Sequence, residues 1–164
     1  MAIQWGEAVA AITIRGTWTT TAPAPAIWAV VVDLGSWPAW WPAIQEARLL
    51  GGDADAPDAA ELVFDTPSPL RPLVVTLTIE EREAPRRLRV AVTDGPMRGH
   101  GTVRIDGDEA GSRTTYDIEL RVRSLLFKPL EPILAGASRS SGRERLRRAG
   151  ADLADLAGGE LLAG

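Results

Sequence analysis

Proton-transfer chemistry on this chain would rest on very few side chains. Tyr116 alternates with Ile118 and Leu120, so it falls on the apolar phase of a strand, with Thr114 on the same face. A phenol there could donate a proton into an enclosed space, and it could equally be amphipathic core with its hydroxyl reaching water. His100 is the sole histidine and falls on the opposite phase, with Thr102 and Arg104, which predicts a surface position. A bulge at Gly99 or Gly101 would reverse that phase, and only then could His100 act as an acid or base. Asp33 reads as a capping or salt-bridging residue, and Asp65 and Arg71 as parts of a solvated Pro-rich loop. No Ser/His/Asp set, paired carboxylates, phosphate-cradling glycine loop or metal-ligand spacing is present. With 0 cysteines and 1 histidine, thiolate catalysis, disulfides and a multi-histidine metal site are excluded. No metal and no cofactor is expected.

Binding chemistry is better represented. The chain has 6 Trp against 2 Phe and 1 Tyr, and Trp28, Trp37, Trp40 and Trp41 fall in one Pro-rich stretch. Rigid amphipathic rings beside proline suit the wall or mouth of an apolar cavity. Trp28 is expected in the core, and Trp37, Trp40 and Trp41 at a pocket rim.

These residues need elements to position them. Ile12, Ile14 and the run from Thr17 to Thr21 are β-branched or aromatic and predict a first strand. Pro23 and Pro25 end it. From Pro25 the pattern is helical, with Trp28, Val31 and Val32 on one side and Pro in the first turn. Ser36 before Trp37-Pro38 predicts the N-cap of a second short helix, which Pro42 ends. Strands follow over 44–50, 59–65, 73–82, 87–93, 97–106 and 113–123. Their alternation places Leu73, Val75, Leu77, Ile79, Leu88, Val90, Val92, Val103, Ile105, Ile118 and Leu120 on one face. Gly99 and Gly101 share that phase and either make room for a ligand or mark a bend. The opposite face carries arginines and carboxylates in cross-strand rows, as a solvated sheet face does.

A helical stripe through Leu130, Leu134, Ser138, Ser141, Leu146, Leu153 and Leu156 predicts a final helix over 132–157. At 1.5 Å per residue it would be about 39 Å long, enough to cross the sheet. Ala137, Ser138, Ser141 and Gly142 are small; they either leave volume for a ligand or pack tightly on the sheet. The expected organisation is an N-terminal arm (1–10), a single domain (11–157) and a disordered tail (158–164).

At 164 residues and a net charge of -4, the chain suits one acidic domain rather than a bulk binder of nucleic acid or anionic membrane. The arginine-rich run from Arg139 to Arg148 is interleaved with Glu144. It reads as a solvated helix face, or secondarily as a partner-binding face. No apolar run reaches the roughly 18 residues of a membrane span. The segment Met1–Glu7 lacks the basic start and apolar stretch of a signal peptide, which predicts a cytoplasmic protein without integral membrane association.

In element order the chain resembles the helix-grip superfamily, which includes START lipid-transfer domains, birch-pollen-allergen-type proteins and the bacterial polyketide cyclase/dehydrase and lipid-transport proteins (SRPBCC). The resemblance is carried by Ala22-Pro23 after strand one, Ile27-Trp28 with Asp33 downstream, and Trp37-Pro38-Ala39-Trp40-Trp41-Pro42. It continues through Gly111-Ser112-Arg113-Thr114 before the last strand and the final helix. It implies an α+β fold: a curved antiparallel sheet of about seven strands wrapped around a long C-terminal helix, with two short helices after the first strand. It implies a cavity between sheet and helix.

The expected function is binding or transport of a small hydrophobic molecule: a lipid, polyketide or aromatic metabolite. Trp28, Trp37, Trp40, Trp41, Val75, Leu77, Val90, Gly101, Val103, Tyr116, Ile118, Leu134, Ser138 and Ser141 would line its site. The alternatives are an aromatase/cyclase using Tyr116 or His100, and a protein-interaction module with a filled core. The partner expected is the small molecule, with no nucleic acid, and the protein a monomer or weak homodimer.

Overall fold

The computed structural model describes residues 9–53, 56–64, 73–123 and 140–164. Strand β1 (Val9–Thr20) is followed by helix α1 (Ala24–Val32), one 3-10 turn (Leu34–Ser36) and a single turn of helix, α2 (Trp37–Trp40). Then come β2 (Ile44–Asp53), β3 (Ala56–Phe64), β4 (Leu73–Glu83), β5 (Arg87–Asp94), β6 (Met97–Asp108) and β7 (Gly111–Arg123). Helix α3 (Ser140–Leu156) and a short β8 (Leu161–Ala163) complete the order. The strands form one antiparallel sheet in the order β2-β3-β4-β5-β6-β7-β1-β8. This is the α+β architecture expected, with eight strands instead of about seven.

Register sorts the side chains as the alternation predicts. Ile12 pairs with Leu120, Ile14 with Ile118, Gly16 with Tyr116 and Trp18 with Thr114. On the other side of β7, Gly101 pairs with Ile118, Val103 with Tyr116 and Ile105 with Thr114. Directly opposed residues share a face, so these form the concave face. The convex face holds the charges: Arg15 lies 3.1 Å from Asp117 and 3.4 Å from Glu119, and Arg89 2.9 Å from Glu80. Such exposed pairs contribute about 0–1 kcal/mol each; their main effect is to keep this face in water.

The short helices are held by a compact set of bonds that replaces ordinary capping. Pro25 sits in the first turn of α1, where its missing N–H costs nothing. At the other end, terminal carbonyls need donors from outside the helix. The Ser36 hydroxyl lies 2.9 Å from the Val30 carbonyl and 2.8 Å from that of Asp33, sharing its proton between them. The Trp37 indole N–H donates to the Val31 carbonyl at 2.9 Å. Asp33 accepts from the Gly35 N–H at 3.2 Å, the capping role expected of it. Ser36 does occupy the N-cap position of α2, but its side chain makes no cap bond there because it is turned back to α1.

The C-terminus corrects the expectation of a disordered tail. Gly158, at φ 80°, lets the Gly159 N–H bond the Ala154 carbonyl (2.8 Å) and its own N–H bond that of Asp155 (3.0 Å). This is a Schellman closure. It reverses the chain onto β1, where Thr21 N–H donates to the Glu160 carbonyl at 2.9 Å and Thr19 pairs with Ala163. The outer edge of β1 offers unpaired backbone groups, and the tail satisfies those at its C-terminal end, from Thr19 to Thr21. The N-terminal arm lies outside the described residues up to position 8, and β1 already begins at Val9. Of the predicted final helix, 140–156 is described; the stretch before it lies outside the described residues.

Candidate functional site

The concave face divides into a dry end and a half-open end. At the dry end Trp18, Thr20, Leu88, Ile105, Ser112 and Thr114 are buried, and Ile27 and Val31 of α1 are buried in the same core. Helix α3 contributes Ala149, Leu153 and Ala154, all buried. Trp18 is tied to it twice: its indole N–H donates to the Leu146 carbonyl at 2.9 Å, and its ring lies on Gly150. At the other end Ile12, Ile14, Val103, Ile118 and Leu120 are only partly buried. They form an apolar floor across β1, β7 and β6.

Tyr116 marks the boundary. It is 5% exposed, and its ring lies across Gly16, where a Cβ would collide with the hydroxyl. Among the described residues that hydroxyl makes no hydrogen bond. Burial raises its pKa above the ordinary phenol value, so the group is a neutral donor at physiological pH. On the concave-face positions of β1, β6 and β7 it is the only ionisable side chain among the described residues.

A wall of indoles stands beside it. The Trp18 ring lies 4.4 Å from Tyr116, tilted 36°. Trp41 meets Trp18 at 6.2 Å and Tyr116 at 6.4 Å edge-on, and Trp40 meets Trp18, Trp37 and Trp41 at 6.3, 5.7 and 5.7 Å. These are favoured aromatic geometries. The expected division of labour among the tryptophans is changed. Trp40 is the buried one, whereas Trp28 is half-buried at the edge of the core and Trp37 and Trp41 keep partial exposure. Trp40 fills the inward position because α2 is a single turn whose last residue faces the sheet. Trp18 was legible in the sequence only as a strand residue; its phase with Ile12 and Ile14 is the signal that places it here.

The glycines on the floor have different causes. A Cβ on Gly99 would meet the Glu119 carbonyl oxygen, so the close backbone approach requires glycine there. A Cβ on Gly101 would make ordinary 3.5 Å contacts with Ile118 and Val90; its absence leaves space. Neither glycine introduces a bulge, since β5, β6 and β7 keep continuous register through both. His100 therefore stays on the convex face, 3.5 Å from Glu119, and does not join Tyr116.

Val75, Leu77 and Val90 are buried on the inner face across β4 and β5. Thr114, beside Tyr116 in phase, is fully buried at the dry end and its hydroxyl has no partner among the described residues. Leu134 and Ser138, like Asp65 and Arg71, lie outside the described residues, as does the side chain of Ser141. A separate half-open cleft of about 410 Å³ lies between Pro25, Pro85, Arg86 and the β6–β7 turn and shares no residue with the aromatic wall. Among the described residues no group of three or more His, Cys, Asp or Glu is placed to hold a metal ion, and no helix is long and apolar enough to cross a membrane.

Solved structures share this fold. A START superfamily protein from Mycobacterium smegmatis superposes with a TM-score of 0.65 at 18% identity, over 84% of this chain and 92% of that one. The Zhui aromatase/cyclase from Streptomyces sp. R1128 does so at 0.54 and 15% identity, over 81% and 99%. Norcoclaurine synthase from Thalictrum flavum, solved with dopamine and hydroxybenzaldehyde, gives 0.54 and 14%, over 85% and 86%. At such identities the likeness is one of fold. No curated protein matches the chain in sequence. The sequence pattern of the family described as polyketide cyclase / dehydrase and lipid transport matches residues 11–154, and the chain belongs to that family, within the helix-grip superfamily.

Proposed function

We propose that this protein binds or carries a small, uncharged hydrophobic molecule on the apolar floor of the concave face, against the wall formed by Trp41 and Tyr116. The observation that carries the reading is the division of the concave face. Ile12, Ile14, Val103, Ile118 and Leu120 are directed inward yet only partly buried, while inward residues of the same strands a few positions away are dry. Apolar contact at ~25 cal/mol per Å² is enough for micromolar affinity over a few hundred Å². No carboxylate, guanidinium or ammonium faces the floor from β1, β6 or β7, so a charged ligand would lose its hydration without compensation.

The test is binding of Nile red, a neutral apolar fluorophore, by the wild type and by Ile14→Trp, which adds a ring where the floor is half-open. Micromolar binding, lost in a folded Ile14→Trp protein, is expected. Equal binding by both would remove the floor as the site.

A second reading is an enzyme of the aromatase/cyclase kind. Tyr116 favours it, as a neutral phenol at the edge of the floor can donate a proton to a ligand carbonyl. Tyr116→Phe would then abolish turnover of a cyclisable poly-ketone while leaving Nile red binding intact. Turnover unchanged in that variant would leave Tyr116 a packing residue.

A further inference from the structure

Residues 22–44 contain only two polar side chains, Asp33 and Ser36, and both are used within the segment. This stretch packs over the concave face as α1 and α2. Its outward positions are therefore apolar: Ala29, Ala39, Pro42 and Ala43 are exposed, and Trp28, Trp37 and Trp41 are partly so. An exposed charge-free patch of this kind, with partly exposed tryptophans at its edge, marks an interaction surface.

The neighbouring element says what covers it. Helix α3 packs against α2 and α1, and its Leu146 turn is fixed to Trp18, which itself touches Trp40 and Trp41. That turn carries Arg143, Arg145, Arg147 and Arg148, all exposed. On the convex face Arg15, Arg48, Arg87 and Arg89 each sit beside a carboxylate. None of the four α3 arginines has an ion pair among the described residues, in spite of Glu144 on the same turn. So cations without an ion pair among the described residues border an apolar patch, on a chain whose net charge is -4.

We propose that this face docks peripherally on an anionic lipid surface, with Trp28 and the exposed side of α1 and α2 at headgroup depth and the α3 arginines against lipid phosphates and carboxylates. Indoles partition to that depth because one edge is apolar and the N–H is polar, and arginines extend their stems along apolar surface with the guanidinium in water. Each basic side chain near an anionic leaflet strengthens binding about fivefold. The overall negative charge is carried elsewhere and orients this face toward the lipid. Docking of this kind is peripheral and requires no spanning segment.

The experiment is co-sedimentation of the full chain with vesicles of phosphatidylcholine alone or of phosphatidylcholine with phosphatidylserine. The expected result is binding to the anionic vesicles only, weakening as salt rises. Neutralising Arg145→Gln and Arg148→Gln together would reduce partitioning about 25-fold. Ala29→Asp, on the exposed side of α1, would reduce it as well. Both variants alter exposed positions, and circular dichroism and Nile red binding confirm that each remains folded with its floor intact. A protein that stays in the supernatant with both vesicle types overturns the proposal and leaves an acidic protein face as the better match to the arginines. Equal binding to both compositions, or binding unchanged in either variant, overturns it too.

Discussion

Two hydroxyls two positions apart on the concave face meet opposite fates. Ser112 shares a buried 3.0 Å hydrogen bond with Thr20. Thr114 is as deeply buried and bonds to nothing among the described residues. An unsatisfied buried hydroxyl costs more than a missing methyl, because it has given up water without replacement. Thr114→Val is therefore expected to stabilise the fold by about 1 kcal/mol, and Thr20→Val to destabilise it by a similar amount. Denaturant unfolding of the two variants checks the pair, and a loss of stability in both would show that Thr114 has a partner after all. Tyr116 offers a second reading at this scale. It is the only tyrosine, so phenolate absorbance titrates it alone. Burial raises its pKa, so the folded state keeps a proton that the unfolded chain releases near pH 10. The stability from this group is complete below that pH and is lost as pH rises from there through the folded-state pKa. Tyr116→Phe should remove that alkaline loss, and a midpoint at or below the ordinary phenol value would contradict the burial.

At the scale of elements the decisive contact is between β1 and α3. Gly150 is buried against the Trp18 ring, and a Cβ there would stand 2.4 Å from Trp18 Cδ1. Alanine improves helix propensity by about 1 kcal/mol, but overpacking against a rigid ring costs about 1–3 kcal/mol. It would also strain the Trp18–Leu146 bond. Gly150→Ala is thus expected to destabilise the protein net and to raise hydrogen exchange along α3; a stabilised variant would mean that the helix slides freely. This dependence was not legible in the sequence. The stripe of Leu146, Ala149, Leu153 and the alternation of Ile12, Ile14 and Trp18 each announce a face, but which two faces meet depends on long-range packing. The same holds for β8. Gly158 reads correctly as a helix end, yet only the unpaired edge of β1 makes the residues beyond it a strand. Periodicity did read the sheet: the eleven residues assigned inward by alternation lie on the concave face, since register shifted by one would expose them all. Among the tryptophans Trp40 is buried and Trp28 only partly so, because in so short a helix the periodic signal is too weak to choose an inward ring.

For the molecule as a whole, the polar surface and the apolar interior do separate work. The convex face is laced by pairs whose side chains are mostly a third or more exposed, such as Arg48–Glu61 and Arg15–Asp117. Their attraction is weak and screened. Raising sodium chloride from about 0.05 M to about 1 M is expected to change unfolding free energy by less than about 1 kcal/mol. A drop of several kcal/mol in denaturant melts would show that the charged rows carry the fold. His100 belongs to this surface with Glu119.

The ring packing at the site has an optical consequence. Trp18 and Tyr116 are held 4.4 Å apart at a 36° tilt, and four further ring contacts chain Trp18, Trp37, Trp40 and Trp41 together. Transition dipoles so close and so skewed couple, which splits their ultraviolet absorption into an exciton couplet of fixed sign. Because the couplet depends on mutual orientation and not on backbone hydrogen bonds, it should fade when a guest parts the rings while the sheet stays whole. A ligand of the proposed kind would thus be read from the aromatic couplet alone.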